Sequence, residues 1–341
     1  MQMNITYLIG NGFDLNLNLK TRYLDFYKYY LEIDSKNDTI KKFKHDLSNS
    51  LENWSDLEFE LGKYTSTFQD GKEQEFIELL DDIQDNLADY LETQKLDFGL
   101  SDAMRSKIIE DIFSPSKYLN DREKQDFNNL MKGFFAQPYM AKLITFNYTQ
   151  SLEILLNYQE GRPISSSREY SGNKYALTIQ RIYHIHGTIN QNMILGVNDD
   201  TQITNQNFRK IGALLNHFIK PRMNIDAGTL RDDRSKSEIN SADLICVYGM
   251  SLGETDKVWW QIINKRLASS NAVLIIFAVK EKIPLRRSYI AKTYKDKIIE
   301  KMLSYSSFSD EVKEKIKARI FVSINSEMFN IKQLIDEKKS A

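Results

Sequence analysis

The chain has 341 residues, enough to bury a large core in one domain or two. Its 46 Lys and Arg balance 47 Asp and Glu, which excludes a global positive charge that would draw in nucleic acid. With 41% hydrophobic residues and five prolines it reads as a folded, helix-rich chain, and its single cysteine, Cys246, excludes an internal disulfide framework and a cysteine-based zinc ribbon.

The first apolar, β-prone run, 5–9, ends in Gly10-Asn11-Gly12-Phe13-Asp14. A strand that breaks into such a turn lets backbone N–H groups approach a ligand, usually a phosphate, although Gly-X-Gly also serves simply to turn a chain. From 21 to 137 the pattern is helical, with Phe76, Leu79, Leu80, Ile83, Leu87 and Leu91 on one face, and Ser55 with Glu58 fits a capping box. This segment is expected to be a helical insertion or cap between the first two strands. The run 142–146 then ends in Asn147-Tyr148-Thr149 before a helical pattern. At the carboxyl end of a strand Asn147 can fix a water, a ribose hydroxyl or an amide; equally, Asn147 or Thr149 can cap the helix.

Residues 158–175 read as a loop. Next comes Tyr183-His184-Ile185-His186-Gly187, which holds two of the four histidines at a spacing that puts both on one face of a strand. One of them suits general acid–base work, and a hydrogen-bonded structural pair is the alternative. Residues 197–207 are turn-like and 231–241 read as a charged, mobile connection. The run 243–248 ends in Gly249-Met250-Ser251-Leu252-Gly253-Glu254-Thr255-Asp256, followed by Trp259 and Trp260. Gly249 and Ser251 suit a phosphate or ribose and Asp256 a sugar hydroxyl, while Thr255 or Asp256 can also cap the helix that carries the tryptophans. Further strands are expected at 272–279 and 319–324, and the basic stretch 280–301 as a solvated helix face. The strand-like runs are nearly continuously apolar and are separated by helices, which predicts a mostly parallel α/β sheet covered on both faces.

No signal peptide is read at the start, and the longest apolar run, 272–279, is too short to span a bilayer, so a cytoplasmic protein is expected.

Taken together and in order, Gly10-Asn11-Gly12-Phe13-Asp14, Trp54 with Leu57-Glu58, Phe146-Asn147-Tyr148-Thr149, His184-Ile185-His186-Gly187 and the segment from Gly249 to Asp256 resemble the bacteriophage abortive-infection AbiH family. More distantly, the order resembles sirtuin-like NAD-binding domains. That resemblance implies a Rossmann-like core (1–20 plus 138–290), to which the helical insertion (21–137) and a C-terminal helix-strand-helix extension (291–341) are expected to be added. It matches Gly10 and Gly12 to the turn that holds the NAD pyrophosphate, Asn147 to the Asn beside the nicotinamide ribose, His186 to the catalytic base, and Gly249 and Ser251 to a later nucleotide-binding turn. The chain departs from sirtuins at Asn147-Tyr148-Thr149, which lacks the usual carboxylate, and in having no four-cysteine zinc module.

The expected activity is therefore cleavage of NAD⁺ to nicotinamide and ADP-ribose during phage infection. Asn147 and His186 would be catalytic, with Gly10, Asn11, Gly12, Asp14, Thr149, Gly249, Ser251 and Asp256 around the nucleotide and no metal. A phage-derived trigger and a homo-oligomer are expected as partners, a membrane and nucleic acid not. A sensor that binds NAD or an ADP-ribose derivative without cleaving it is the alternative, and a nuclease ranks last.

Overall fold

In a computed structural model that describes residues 2–279 and 286–339, each run predicted as a strand enters one sheet. β1 (Met3–Ile9) sends Ile5, Tyr7 and Ile9 to one apolar cluster and Leu8 to another, so both faces are covered and the strand is almost wholly buried. β2 (Tyr139–Thr145), β4 (Asn173–His184), β5 (Leu244–Tyr248), β6 (Val273–Ala278) and β7 (Ile320–Ile324) all run parallel to β1. The remaining strand, β3 (Ile164–Tyr170), is antiparallel to β4, and the order across the sheet is β3-β4-β2-β1-β5-β6-β7.

β3 corrects the expectation of a loop over 158–175. Its sequence, Ile-Ser-Ser-Ser-Arg-Glu-Tyr, lacks an apolar run because it is an exposed edge strand. Ser171 and Gly172, both at positive φ (49° and 78°), close a two-residue hairpin to β4. Arg168 then anchors the strand by donating to the carbonyls of Phe135 and Gln137.

Helices fill the chain between β1 and β2: α1 (Gly12–Asn16), α2 (Tyr23–Glu32), α3 (Asp38–Ser48), α4 (Leu57–Tyr64), α5 (Glu73–Thr93), α6 (Asp102–Phe113) and α7 (Asp121–Met131). They divide between two cores. α6 and α7 join α8 (Ser151–Leu156) on one face of the sheet. α2 to α5 instead form a separate aromatic-rich core, completed from later in the chain by α9 (Gly212–Phe218). The expected stripe of α5, from Phe76 to Leu91, is buried in that second core. α10 (Lys220–Asp226) follows α9 directly.

The other face of the sheet is covered by α11 (Arg231–Ser241), α12 (Lys257–Ser269), α13 (Ser288–Ser304) and α14 (Asp310–Lys317), with α15 (Lys332–Lys339) returning to the first face. α11 replaces the expected mobile connection: its charged sequence hides an i, i+4 pair, Ser235 and Ile239, that is fully buried. Part of the basic stretch 280–301 lies outside the described residues; Lys292, Lys297 and Lys301 of α13 are exposed, as a solvated face requires. Among the described residues no helix is long and apolar enough to cross a membrane.

The aromatic core gives a direct test. Phe76 is fully buried against Phe68, Phe208 and Phe218. Phe76→Ala should cost about 3–5 kcal/mol in urea denaturation, and a loss below about 1 kcal/mol would contradict this packing.

Candidate functional site

Four of the sequence motifs follow β1, β2, β4 and β5, and these strands are adjacent in the order β4-β2-β1-β5. Because they are parallel and in register, with Ile9 opposite both Thr145 and Tyr248 and Thr145 opposite His184, their carboxyl ends emerge side by side. The strand order reverses direction at β1, and a crevice opens where the connections diverge, which is where ligands bind in open α/β sheets.

The turns after β1 and β5 are in backbone contact. A Cβ on Gly12 would meet the Gly249 Cα at 2.4 Å, and one on Gly10 would meet the Gly249 carbonyl oxygen at 2.5 Å. Gly249 itself has φ +65°, so it needs glycine for its conformation as well as for space. This arrangement corrects the expected phosphate cradle. The Gly10 amide donates to Tyr248 O (2.9 Å) and the Gly12 amide to Gly249 O (3.0 Å), so these N–H groups tie the turns together and are not offered to a ligand.

Asp14 is likewise committed. Its buried carboxylate accepts from Thr149 Oγ1 (2.6 Å) and from Ser151 Oγ, joining α1 to the start of α8. Burial pushes its pKa up, and hydrogen bonds from Ser151, Thr149 and Asn147 oppose the rise. Neither Asn147 nor Thr149 caps α8; its N-cap is Gln150. The expected capping box also fails: Asp56 is the N-cap of α4 and accepts from the Phe59 amide, which frees Glu58 for another partner.

Gly10, Asn11, Asn147, His186, Gly249, Ser251 and Asp256 line one cleft of about 390 Å³. Asp14 and Thr149 border a smaller cavity of about 100 Å³ that shares Asn11 and Asn147 with it. His186 also lines a third cavity of about 570 Å³ on its other side, so it stands between two spaces. The two histidines thus separate. His184 Nε2 meets Glu153 Oε1 at 2.6 Å and its Nδ1 meets the Asn147 carbonyl at 2.9 Å, whereas the His186 ring packs against Phe146 and Tyr148. Burial holds the His186 imidazole well below its usual pKa, and the positive charge of Lys220 lowers it further, so at neutral pH it is an unprotonated base.

The chain matches the family of bacteriophage abortive infection AbiH over residues 6–278, a span that includes every motif at the cleft. It belongs to the AbiH family. Comparison with curated proteins finds no match.

In this AbiH protein the wall of the cleft also holds Lys220, which sequence reasoning did not single out, and gives Glu58, expected only in a helix cap and a family motif, a different role. Glu58 Oε2 and Lys220 Nζ form an ion pair at 2.5 Å with both side chains more than nine-tenths buried. Glu58 faces the 390 Å³ cleft and Lys220 the 570 Å³ cavity, so with His186 they form the partition. The available signal was a charge set in an apolar stripe, Glu58 among Trp54, Leu57 and Leu61, and Lys220 after Phe218 and Ile219. Ser251 Oγ donates to Asp256 Oδ2 at 2.7 Å. Burial raises Asp256 to about 6, and the Ser251 hydrogen bond and Lys220 charge oppose it. Among the described residues no group of three or more His, Cys, Asp or Glu is arranged to hold a metal.

The pH dependence of stability follows from Glu58. Burial outweighs Lys220 and raises its folded pKa from 4.5 to about 7. A carboxyl raised on folding contributes stability that is complete below its unfolded pKa and is lost as pH rises through the folded value. Glu58 therefore contributes a fall in the thermal midpoint between pH 4.5 and about 7, opposite in sign to the contribution of His186, and Glu58→Gln should make the midpoint of the protein fall less, or rise more, across that window. An identical slope in both would show that Glu58 does not titrate in this window.

Proposed function

We propose that this member of an anti-phage abortive-infection family hydrolyses NAD⁺ to nicotinamide and ADP-ribose, on a Rossmann-like, sirtuin-like core. The observation that carries the reading is the convergence of Asn147, His186, Ser251 and Asp256 on one cleft at the carboxyl edge of four parallel strands. In this reading the cap is the part of the helical segment 21–137 formed by α2 to α5, and Asp56 and Glu58 reach the cleft wall.

Glycosidic cleavage of NAD⁺ needs no strong acid, because the nicotinamide leaves from a cationic nitrogen and takes the bonding electron pair as a neutral molecule. The ribose C1′ then gains oxocarbenium character. A water oxygen bonds to C1′ and its proton passes to the unprotonated His186 imidazole, while the Asn147 amide orients the water. Ser251 and Asp256 meet the ribose hydroxyls. Arg22, at the same cleft, is the cation placed to meet the diphosphate, in place of the Gly10 and Gly12 amides. The lack of a carboxylate in Asn147-Tyr148-Thr149 favours the second reading, a sensor that binds an NAD-like nucleotide without cleaving it.

The test is nicotinamide release from NAD⁺ by the purified chain. Asn147→Ala and His186→Ala should each lower the rate by about 10²–10⁴-fold. Parental rates in both variants would overturn the mechanism. Saturable NAD⁺ binding without release would select the sensor.

A further inference from the structure

A cavity of about 420 Å³ lies beside the carboxyl end of β4 and shares no lining residue with the cleft or with the space behind His186. Arg181 of β4 and Arg231 and Arg234 of α11 line it, together with His184. Among the described residues none of the three arginines has a carboxylate oxygen within 4.0 Å; of the nearby acids, Glu153, which lines the cavity, meets His184 through one oxygen, and Glu238 pairs with Lys142. Glu160, which also lines the cavity, acts on Arg231 only from beyond ion-pair distance.

Arg231 is partly buried, and its Nη1 makes a single long contact of 3.3 Å with the Asn192 carbonyl. Burial lowers its pKa, the mark of a guanidinium that loses water without gaining an ion pair. Holding the Arg231 guanidinium this way costs free energy unless an anion completes it, while Arg234 remains exposed at the rim.

A second feature points the same way. Arg231 is the first residue of an eleven-residue helix whose N-cap is Leu230, with no side chain satisfying the helix N-terminus. Thr229, the nearest hydroxyl, instead turns back to Asn224. Gly228, Thr229 and Leu230 all border the cavity, so the uncapped N-terminus opens on the same space as the arginines, two of which lie in its first turns. An uncapped helix start and planar guanidinium forks select one chemistry, an oxyanion with several acceptor oxygens.

We infer that this cavity is a binding site for a soluble, phosphate-bearing small molecule, distinct from the cleft. His184 connects the two sites, since the same ring that borders the cavity holds the backbone carbonyl of Asn147 in the cleft wall.

The test is calorimetric titration of the full chain with inorganic pyrophosphate, a readout in which nicotinamide release plays no part. Saturable binding is expected with a Kd below about 1 mM. It should weaken by about tenfold or more in the Arg181→Met/Arg231→Met variant, be partly restored by Arg231→Lys at that position, and persist in the cleft variant Arg22→Met. The thermal midpoint of each variant separates loss of the site from loss of the fold. No saturable binding up to about 10 mM, or binding lost in Arg22→Met but kept in the arginine variant, overturns the inference. Sedimentation with phosphatidic acid vesicles by a chain that ignores pyrophosphate also overturns it, since the ligand would then be a lipid headgroup.

Discussion

The contact between the Gly10–Gly12 turn and Gly249 is the constraint on which the site depends. Its backbones approach until no Cβ fits between them, and two amides are spent on hydrogen bonds from one turn to the other. A second tie, from Asp14 to Thr149 and Ser151, holds the start of α8 against α1. Three of the four motif segments are therefore locked by interactions internal to the protein. What remains pointed at the cleft is a smaller set, Asn147, His186, Ser251 and Asp256, on a scaffold whose rigidity comes from backbone packing.

The electrostatics of that set are governed by burial. Glu58 and Asp256 are pushed up and His186 is pushed down, so near neutral pH the cleft holds an unprotonated imidazole between carboxyl groups poised close to titration. Lys220 is the common neighbour: it opposes the rise at Glu58 and Asp256 and adds to the fall at His186. One buried ammonium thus acts on three ionisable groups across the partition between two cavities. A cluster whose members are driven in opposite directions is a pattern of acid–base sites, although buried structural pairs produce such shifts too.

The helical lobe is part of the site. Arg22, Tyr23, Asp56 and Glu58 come from the segment between β1 and β2, while Lys220 follows α9, which completes the lobe's core. The lobe is sewn to the sheet as well: Asn11 donates to Thr21 O, and Tyr148 joins the aromatic core while donating to Ile194 O. Movement of the lobe would change the cleft wall directly, which couples the helical core to the cleft.

By itself the sequence determined the elements with a strong local signal. Buried parallel strands are continuously apolar, so six of the seven strands and the stripe on α5 were legible, and glycine, Asn and His at strand ends marked the motifs that line the cleft. Elements without an apolar signature were not legible: β3 is a polar edge strand held by its neighbour, and α11 hides two buried residues among charges. Tertiary structure alone decided the rest. It paired Glu58 with Lys220 across 162 positions, separated His184 from His186 although they share a strand-end motif, and turned the glycine amides inward. The reason is physical: a local pattern records how one segment buries its own surface, whereas ion pairs, shifted pKa values and engaged amides depend on which distant segments the sheet order brings within a few ångströms.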